Sequence, residues 1–133
     1  MPPTQALTLN YSTALARMDP DAIVASLAED IEIVVAVHDA PMHGRDVARF
    51  LFGVLSEELS DFRVTEEIGS GDSVVVLFEA SLAGMRAQGL NVVRLRGGEV
   101  THLTVFFRPL PVLQKVSDVV GARMAARFGE IDQ

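Results

Sequence analysis

The chain has 133 residues, of which 49% are apolar and 22% are charged, so it can bury one sizeable hydrophobic core. Eighteen acidic against eleven basic residues give a net charge of −7, which argues against a nucleic-acid partner, because such proteins need a surplus of Lys and Arg. The absence of cysteine excludes disulfides and thiol nucleophiles and favours a cytoplasmic location. We therefore expect a single domain over residues 1–133.

Membrane insertion and cofactor binding are also not expected. The longest apolar runs are five residues long, whereas a bilayer-spanning helix needs roughly 20. The histidines and carboxylates show no recognised metal-binding spacing, so we predict neither a metal nor another cofactor.

The charge is uneven: residues 1–66 carry eleven acids and four bases, whereas residues 67–133 carry seven of each. The neutral second half is better suited to self-association.

The first half of the chain has a mainly helical pattern. Apolar residues recur at three- and four-residue spacing and predict a helix from about residue 4 to 18. The Asp-Pro-Asp sequence at 19–21 ends it and begins a short second helix. The β-branched run 31–37 predicts a mostly buried strand, and a third helix is expected from 45 to about 59.

The second half has the pattern of a β-meander followed by a helix. Alternating apolar residues separated by glycine-containing turns predict strands at 62–68, 74–82, 90–96 and 100–108. Gly84 to Gly89 is expected to be a turn, and Gly97-Gly98 a tight hairpin. An apolar stripe predicts a final helix at 112–128. Helices gathered on one face of a curved antiparallel sheet make an α+β domain.

Three local sequences, taken in this order of elements, resemble one known superfamily. The paired helices at 11–30, the glycine-started helix at 43–52 and the hairpin at 91–102 resemble the nuclear-transport-factor-2-like superfamily, also called the SnoaL-like or cystatin-like cone fold. The resemblance covers roughly residues 5–108, so the helix at 112–128 is an extension. It implies a curved antiparallel sheet wrapped around N-terminal helices, a cone-shaped pocket between them, and a homodimer formed through the outer sheet face.

Members of this superfamily include ketosteroid isomerase, scytalone dehydratase, limonene-epoxide hydrolase and proteins without catalysis, so the fold does not determine the function. We expect binding of a small hydrophobic molecule in the apolar cone pocket. Cofactor-independent isomerase, dehydratase or epoxide hydrolase chemistry stays open beside a non-enzymatic role in ligand binding or dimeric association.

The resemblance assigns candidate roles to three residues. Tyr11 aligns with the oxyanion-hole tyrosine of ketosteroid isomerase, and Asn91 aligns with its second donor, an aspartic acid. Either the two side chains bind a ligand oxygen, or they satisfy each other inside the core. The general base of the isomerase aligns with Val35, which cannot move a proton, so steroid isomerisation is not expected.

A loop holds the densest group of proton-transfer side chains in the chain. His38 and Asp39, with His43 nearby, are candidates for a base and its orienting partner, or for a pair that activates water. An ordinary polar loop is the alternative.

The predicted pocket lining is apolar and comes from inward-facing strand positions and the third helix. Its members are Val35, Phe50, Phe78, Val93, Leu103, Val105 and Phe107. Strand alternation then places His102, Thr104 and Phe106 on the outer face, where we expect the partner copy of the homodimer.

Overall fold

The structure, a computed structural model, describes residues 7–129 and has the α+β architecture expected from the sequence. The helices are α1 (Asn10–Ala16), α2 (Pro20–Ala25), α3 (Arg45–Glu58), α4 (Leu110–Val116) and α5 (Ala122–Phe128). The strands are β1 (Leu27–Val34), β2 (Met42–His43), β3 (Leu59–Ser70), β4 (Ser73–Leu82), β5 (Met85–Arg96) and β6 (Glu99–Arg108). A π-helical turn, Ser117–Gly121, joins α4 to α5, and residues 110–128 together are termed the C-terminal helix.

The six strands form one curved sheet in the order β2-β1-β6-β5-β4-β3. Strands β3 to β6 are the predicted antiparallel meander. Strand β1 differs, because it pairs with β6 in parallel. A parallel neighbour cannot be connected by a tight hairpin, and here the whole of α3 and β3 to β5 lies between the two strands.

The first strand begins and ends earlier than the β-branched run 31–37 suggests. It starts at Leu27, which lies opposite Val100 of β6, and it ends at Val34. Residues 35–38 therefore leave the sheet and form a half-buried loop. The first helix is also shorter than predicted, since it begins at Asn10, and residues 4–6 of that prediction lie outside the described part of the chain.

The glycines near residue 84 have different roles from those expected. The turn is confined to Ala83 and Gly84, and β5 already begins at Met85. Gly89 lies inside β5, opposite both Phe78 and Phe107. A Cβ atom at Gly89 would overlap the carbonyl oxygen of Phe106 and lie 2.5 Å from the ring of Phe78. This glycine is therefore required by close packing and not by a turn.

A bulge in β3 reverses the faces that simple alternation would assign. The pairing of β3 with β4 shifts between Val64 and Glu66. Beyond the shift Glu67 points inward and is 6% exposed, whereas Ile68 is 47% exposed on the outer face. One extra residue in a strand moves every following side chain to the opposite face.

The hydrophobic core lies between the concave face of the sheet and the helices. Alternate residues of β4 and β5 point into it, and α1, α2 and α3 cover it together with the C-terminal helix. Its most deeply buried large side chains are Tyr11, Leu15, Ile23, Leu27, Ile31, Ile33, Leu82 and Leu103. The convex outer face of the sheet carries no helix within the described chain.

Candidate functional site

Tyr11 and Asn91 meet on the concave face of the sheet. Tyr11 projects from α1 and is 1% exposed, and Asn91 projects inward from β5 and is 3% exposed. The Nδ2 atom of Asn91 donates a hydrogen bond of 2.7 Å to the phenolic oxygen of Tyr11. Within residues 7–129, no hydrogen-bond partner reaches the other end of the amide, Oδ1. The two predicted polar anchors therefore lie together, bonded to each other inside the core.

The surroundings of Tyr11 keep its hydroxyl group protonated. Burial raises the pKa of the phenol far above its ordinary value, and the hydrogen bond from Asn91 offsets only part of that rise. A phenol in this state is a hydrogen-bond donor and acceptor and cannot act as a general base at physiological pH.

The helix that carries Tyr11 is held to the sheet by a buried carboxylate. Glu67 of β3 accepts hydrogen bonds from the backbone N–H groups of Thr8 and Leu9, at 3.1 and 3.2 Å, and from the Thr8 hydroxyl at 2.5 Å. Burial raises the pKa of Glu67, but the nearby Ser12 hydroxyl and the hydrogen bonds from Thr8 and Leu9 outweigh it and lower the pKa overall. Glu67 thus fixes the backbone of the two residues that precede α1, a helix whose N-cap residue makes no side-chain hydrogen bond.

The open space of the concave side lies elsewhere, beneath the C-terminal helix. An apolar cavity of about 40 Å³ is enclosed by the loop after β1, helix α3, the end of β6 and the C-terminal helix. Its lining residues are Val35, Ala36, Val37, His38, Met42, Leu51, Leu55, Val105, Phe107, Val116, Val120, Gly121 and Met124. Tyr11 and Asn91 are not among them, although Asn91 lies directly opposite Val105 in the sheet.

The cavity has a buried side and a side nearer to solvent. Val116, Val120 and Met124 of the C-terminal helix are buried, whereas the lining residues of 35–42 are half-buried. The loop is therefore the side of the cavity nearer to solvent. The π-helical turn contributes Gly121 to the wall, and a Cβ atom at this position would meet nothing closer than 4.0 Å.

Three of the seven predicted lining residues border this cavity, namely Val35, Val105 and Phe107. Val93 and Leu103 face the same side of the sheet but are fully packed in the core. They pack beneath the residues that line the cavity and do not border the open space themselves.

The other two predicted lining residues lie apart from the cavity. The Phe78 ring is buried between those of Phe62 and Phe107, with centroid distances of 5.0 and 5.3 Å. Phe50 faces away from the cavity on α3 and contacts the ring of Phe128 edge to face at 5.6 Å. Helix α3 presents Leu51 and Leu55 to the cavity instead, because their positions are rotated away from that of Phe50.

The structure separates the predicted proton-transfer pair. His38 is half-buried and its side chain belongs to the cavity lining. Asp39, the next residue, is exposed and does not border the cavity. His43 is exposed and contacts Glu32, with Nε2 and Oε1 3.3 Å apart. His38 is therefore the one of these three side chains placed to meet a bound molecule.

Sequence reasoning missed the contribution of the C-terminal helix to the site. The stripe Val112, Val116, Val120 and Met124 has a spacing of four residues and was visible, but two surfaces were available to it, the pocket and a partner subunit. The structure resolves this choice, since all four side chains are buried within the same chain. Glu67 gave no signal in the sequence, because its inward direction depends on the bulge.

Neither metal ligands nor a membrane helix is found in the part of the chain that the structure describes. Within residues 7–129, no three His, Asp or Glu side chains gather in a way that could hold a metal ion. No helix in the same range has the length and apolar character needed to cross a bilayer.

Comparison of the fold with solved structures found close likenesses. An uncharacterised protein with a cystatin-like fold from Silicibacter pomeroyi DSS-3 is 26% identical, with a TM-score of 0.81 over 90% of this chain and 86% of that one. A steroid delta-isomerase from Pseudomonas aeruginosa is 22% identical, with a TM-score of 0.77 over 92% of this chain and 98% of that one. A hypothetical protein with a ketosteroid isomerase-like fold from Catenulispora acidiphila DSM 44928, solved in complex with trimethylamine, is 19% identical. Its TM-score is 0.61 over 84% of this chain and 89% of that one.

Sequence comparison agrees with these likenesses at the level of the family. No curated protein matches the chain. The sequence model of the SnoaL-like domain, however, matches residues 9–103, which is more than half of the chain. The match spans α1 to β6 and therefore includes both Tyr11 and Asn91. The protein belongs to the SnoaL-like domain family, with a cystatin-like cone fold.

Proposed function

We propose that the protein binds a small hydrophobic molecule in the cavity beneath the C-terminal helix. The observation that carries this proposal is a concave space lined almost wholly by apolar side chains from four separate parts of the chain. Ligand sites are typically concave and apolar with a small number of polar groups, and His38 is the one described residue of this lining with a polar side chain. A cytoplasmic location, expected from the absence of cysteine, is part of the same proposal.

The size of the cavity limits what can enter without movement. One water needs about 10–15 Å³, so the 40 Å³ present holds about three. Pockets for larger ligands measure roughly 300–1,000 Å³. A compact molecule fits with small side-chain shifts, and a larger one requires the C-terminal helix to move away from α3.

The experiment is a titration of the isotopically labelled protein with toluene, followed by NMR. We expect chemical-shift changes concentrated at Val105, Val116 and Val120. Gly121→Leu places a side chain in the open space and should weaken toluene binding at least tenfold. Ala122→Leu, on the exposed side of the same helix, is the matched control and should leave binding unchanged. Equal binding by both variants would contradict the proposal.

A second candidate function, cofactor-independent acid–base catalysis, is favoured by one observation, the His38 side chain at the cavity wall. Such an enzyme would carry out an isomerisation, dehydration or epoxide opening, with His38 moving the proton. Tyr11 and Asn91 would act only through packing, since they bond to each other outside the cavity. If a substrate is found and the variant His38→Gln still turns it over, this candidate function is ruled out.

We also propose that the outer face of the sheet pairs two copies of the chain. Apolar or small side chains lie opposite one another across five strands of this face, namely Ile68, Val75, Val92, Thr104 and Val34. Phe106, beside this row, is 52% exposed, and an exposed apolar patch on a sheet favours a protein partner. The neutral charge of residues 67–133 favours a second copy as that partner.

Light scattering during gel filtration tests the dimer. The wild-type chain should elute with twice the mass of one copy, and Phe106→Asp should shift it to a single copy. Leu110→Asp removes an apolar residue outside the sheet that is more exposed than Phe106, and it should leave the dimer intact. A wild-type protein that is monomeric at micromolar concentration would contradict the proposal.

A further inference from the structure

The two halves of the C-terminal helix are held in different ways. The first half, α4, packs on β5 and β6 of the sheet and buries Val112 completely. The second half, α5, packs mainly on α3, and the π-helical turn Ser117–Gly121 joins the two halves. Because α3 and α5 both border the cavity, their contact closes it on this side. A movement of α5 away from α3 would therefore open the cavity while α4 stays on the sheet.

The contact between α3 and α5 separates two open spaces. On one side is the cavity, bordered by Leu51 and Leu55 of α3 and by Met124 of α5. On the other side a groove of about 540 Å³, open to solvent, runs between the same two helices. Gly53 of α3 lines this groove, and a Cβ atom there would meet nothing within 4 Å. Separation of α3 from α5 would therefore connect the cavity to solvent.

Two contacts near the surface hold α5 on α3. The Nη1 atom of Arg123 lies 2.7 Å from Oε1 of Glu57 and 3.4 Å from Oε2 of Glu58. The ring of Phe128, which is 41% exposed, meets the ring of Phe50 edge to face at 5.6 Å. Ion pairs close to solvent are weak, and salt screens them. Both contacts are therefore of a kind that breaks and re-forms in a folded protein.

The turn between the two halves has the features of a hinge. A π-helical turn interrupts the regular α-helical hydrogen bonds, and sharp bends in helices occur at such turns. The turn ends at Gly121, and glycine is the least favourable residue for a helix interior after proline. A Cβ atom at Gly121 would meet nothing closer than 4.0 Å, so close packing does not require a glycine here. The property that glycine supplies at this position is backbone freedom.

We infer that α5 is a lid over the cavity, which bends away from α3 at the π-helical turn and is held closed by Arg123 and Phe128. This inference rests on the proposed function, because it assigns the route by which a ligand enters the same cavity. A molecule larger than the cavity of about 40 Å³ enters between α3 and α5 while α4 remains on the sheet.

The variant Arg123→Gln tests the lid, because it removes the ion pair and keeps a long polar side chain. Amide hydrogen exchange, followed by NMR without ligand, should become about threefold faster in residues 122–128 and stay unchanged in residues 112–116. The release rate of toluene, measured by NMR exchange spectroscopy, should rise by a similar factor. About 1 M NaCl should accelerate toluene release from the wild type more than from Arg123→Gln, because salt screens the ion pair.

Matched controls separate the lid from a general loss of stability. Arg96→Gln removes an exposed ion pair with Asp30, 3.0 Å long and outside the C-terminal helix, and should change neither rate. Gly121→Ala should slow amide exchange in residues 122–128 of the ligand-free protein, because alanine restricts the backbone of the hinge. Gly53→Ala, at a position of α3 with equally free surroundings, should not slow it.

The possible results distinguish the lid from the proposed function. If Arg123→Gln accelerates amide exchange in neither segment, or equally in residues 112–116 and 122–128, the hinge at the π-helical turn is overturned. Unchanged toluene release in this variant would overturn entry between α3 and α5. In these cases, toluene binding that is sensitive to Gly121→Leu would still support the proposed function. Absence of toluene binding by the wild type would overturn both.

Discussion

Two ends of the same concave surface are packed in different ways. At one end α1 closes over β3 to β5, and the polar groups of Tyr11, Asn91 and Glu67 are buried in short hydrogen bonds. At the other end the C-terminal helix spans an apolar cavity beside β6. Hydrogen bonds are needed at the first end, because a buried polar atom without a partner is costly. The second can stay open, because cavities that remain empty in proteins are apolar.

The difference shows why fold similarity does not transfer a site. The steroid delta-isomerase from Pseudomonas aeruginosa matches the fold at 22% identity. In the resemblance to ketosteroid isomerase, Tyr11 and Asn91 occupy the positions of the oxyanion donors. In this chain Asn91 donates a hydrogen bond to Tyr11, and the cavity lies elsewhere on the concave side, next to His38. Function belongs to the arrangement of the site and not to the fold.

The largest expected effect is at the closed end. Tyr11→Ala should lower the free energy of unfolding by about 3–5 kcal/mol, the range for loss of a buried aromatic side chain. Tyr11→Phe should lower the free energy of unfolding by about 1–3 kcal/mol, because it leaves the Nδ2 group of Asn91 without its hydrogen-bond acceptor. Urea unfolding measures both. Toluene affinity should be unchanged in Tyr11→Phe, and loss of binding without loss of stability would show that Tyr11 contacts the ligand.

At the open end, truncation of a buried side chain should lower the free energy of unfolding by a smaller amount and should change ligand binding. Met124→Ala should lower the free energy of unfolding by about 2 kcal/mol, at the low end of the range for Met, because its packing beside the cavity is already incomplete. The enlarged cavity should bind ligands bigger than toluene more tightly. Met18→Ala, at a half-buried position near the closed end, is the control and should leave ligand size preference unaltered.

The carboxylate that holds α1 should make the closed end sensitive to acid. The pKa of Glu67 is lowered below its ordinary value of 4.5, so its stabilising effect is complete above that pH and is lost as the pH falls through the lowered value. Glu67→Gln should destabilise the protein by about 1–3 kcal/mol at pH 7, and the difference from wild type should shrink below pH 4.5.

Chemical unfolding at pH 7 and pH 3.5 measures this difference. Glu66→Gln, at the exposed neighbouring position, is the control and should have a smaller effect at pH 7. A difference between wild type and Glu67→Gln that stays constant with pH would show that the charge on Glu67 does not hold the helix.

The smallest expected effect concerns the side chain next to His38. Asp39→Asn should change the Kd of toluene by less than twofold, because Asp39 is exposed and outside the cavity wall. A larger change would indicate that Asp39 acts as the orienting partner of His38. NMR titration of the variant beside the wild type measures this directly.

Much of the fold could be predicted from local patterns. The turn at Gly97-Gly98 follows from sequence, since both residues have positive φ values of 60° and 87° in a two-residue hairpin. The alternation of β6 correctly places Val105 and Phe107 inward and Phe106 outward. These features depend on neighbouring residues alone, so a single sequence is sufficient to reveal them.

The candidate site was only partly predictable. His38 could be selected because its residue type is suited to proton transfer, and Val35 because it lies near an inward strand. Phe50 lies outside this cavity, because a helix can be apolar on more than one face and the Phe50 ring packs on Phe128. Local residue spacing does not reveal which face of α3 borders the cavity. It also does not reveal that the Glu67 side chain points inward.

The sequence by itself determined the α+β class, the order of the helices and strands and the apolar stripe of the C-terminal helix. Only the tertiary structure decided that this helix covers a cavity, that Asn91 donates a hydrogen bond to Tyr11, and that a bulge turns Glu67 inward. The physical reason is the range of the interactions. Periodicity and turn preference act between residues a few positions apart, whereas the Tyr11–Asn91 bond joins residues 80 positions apart and exists only after the sheet and the helices have packed together.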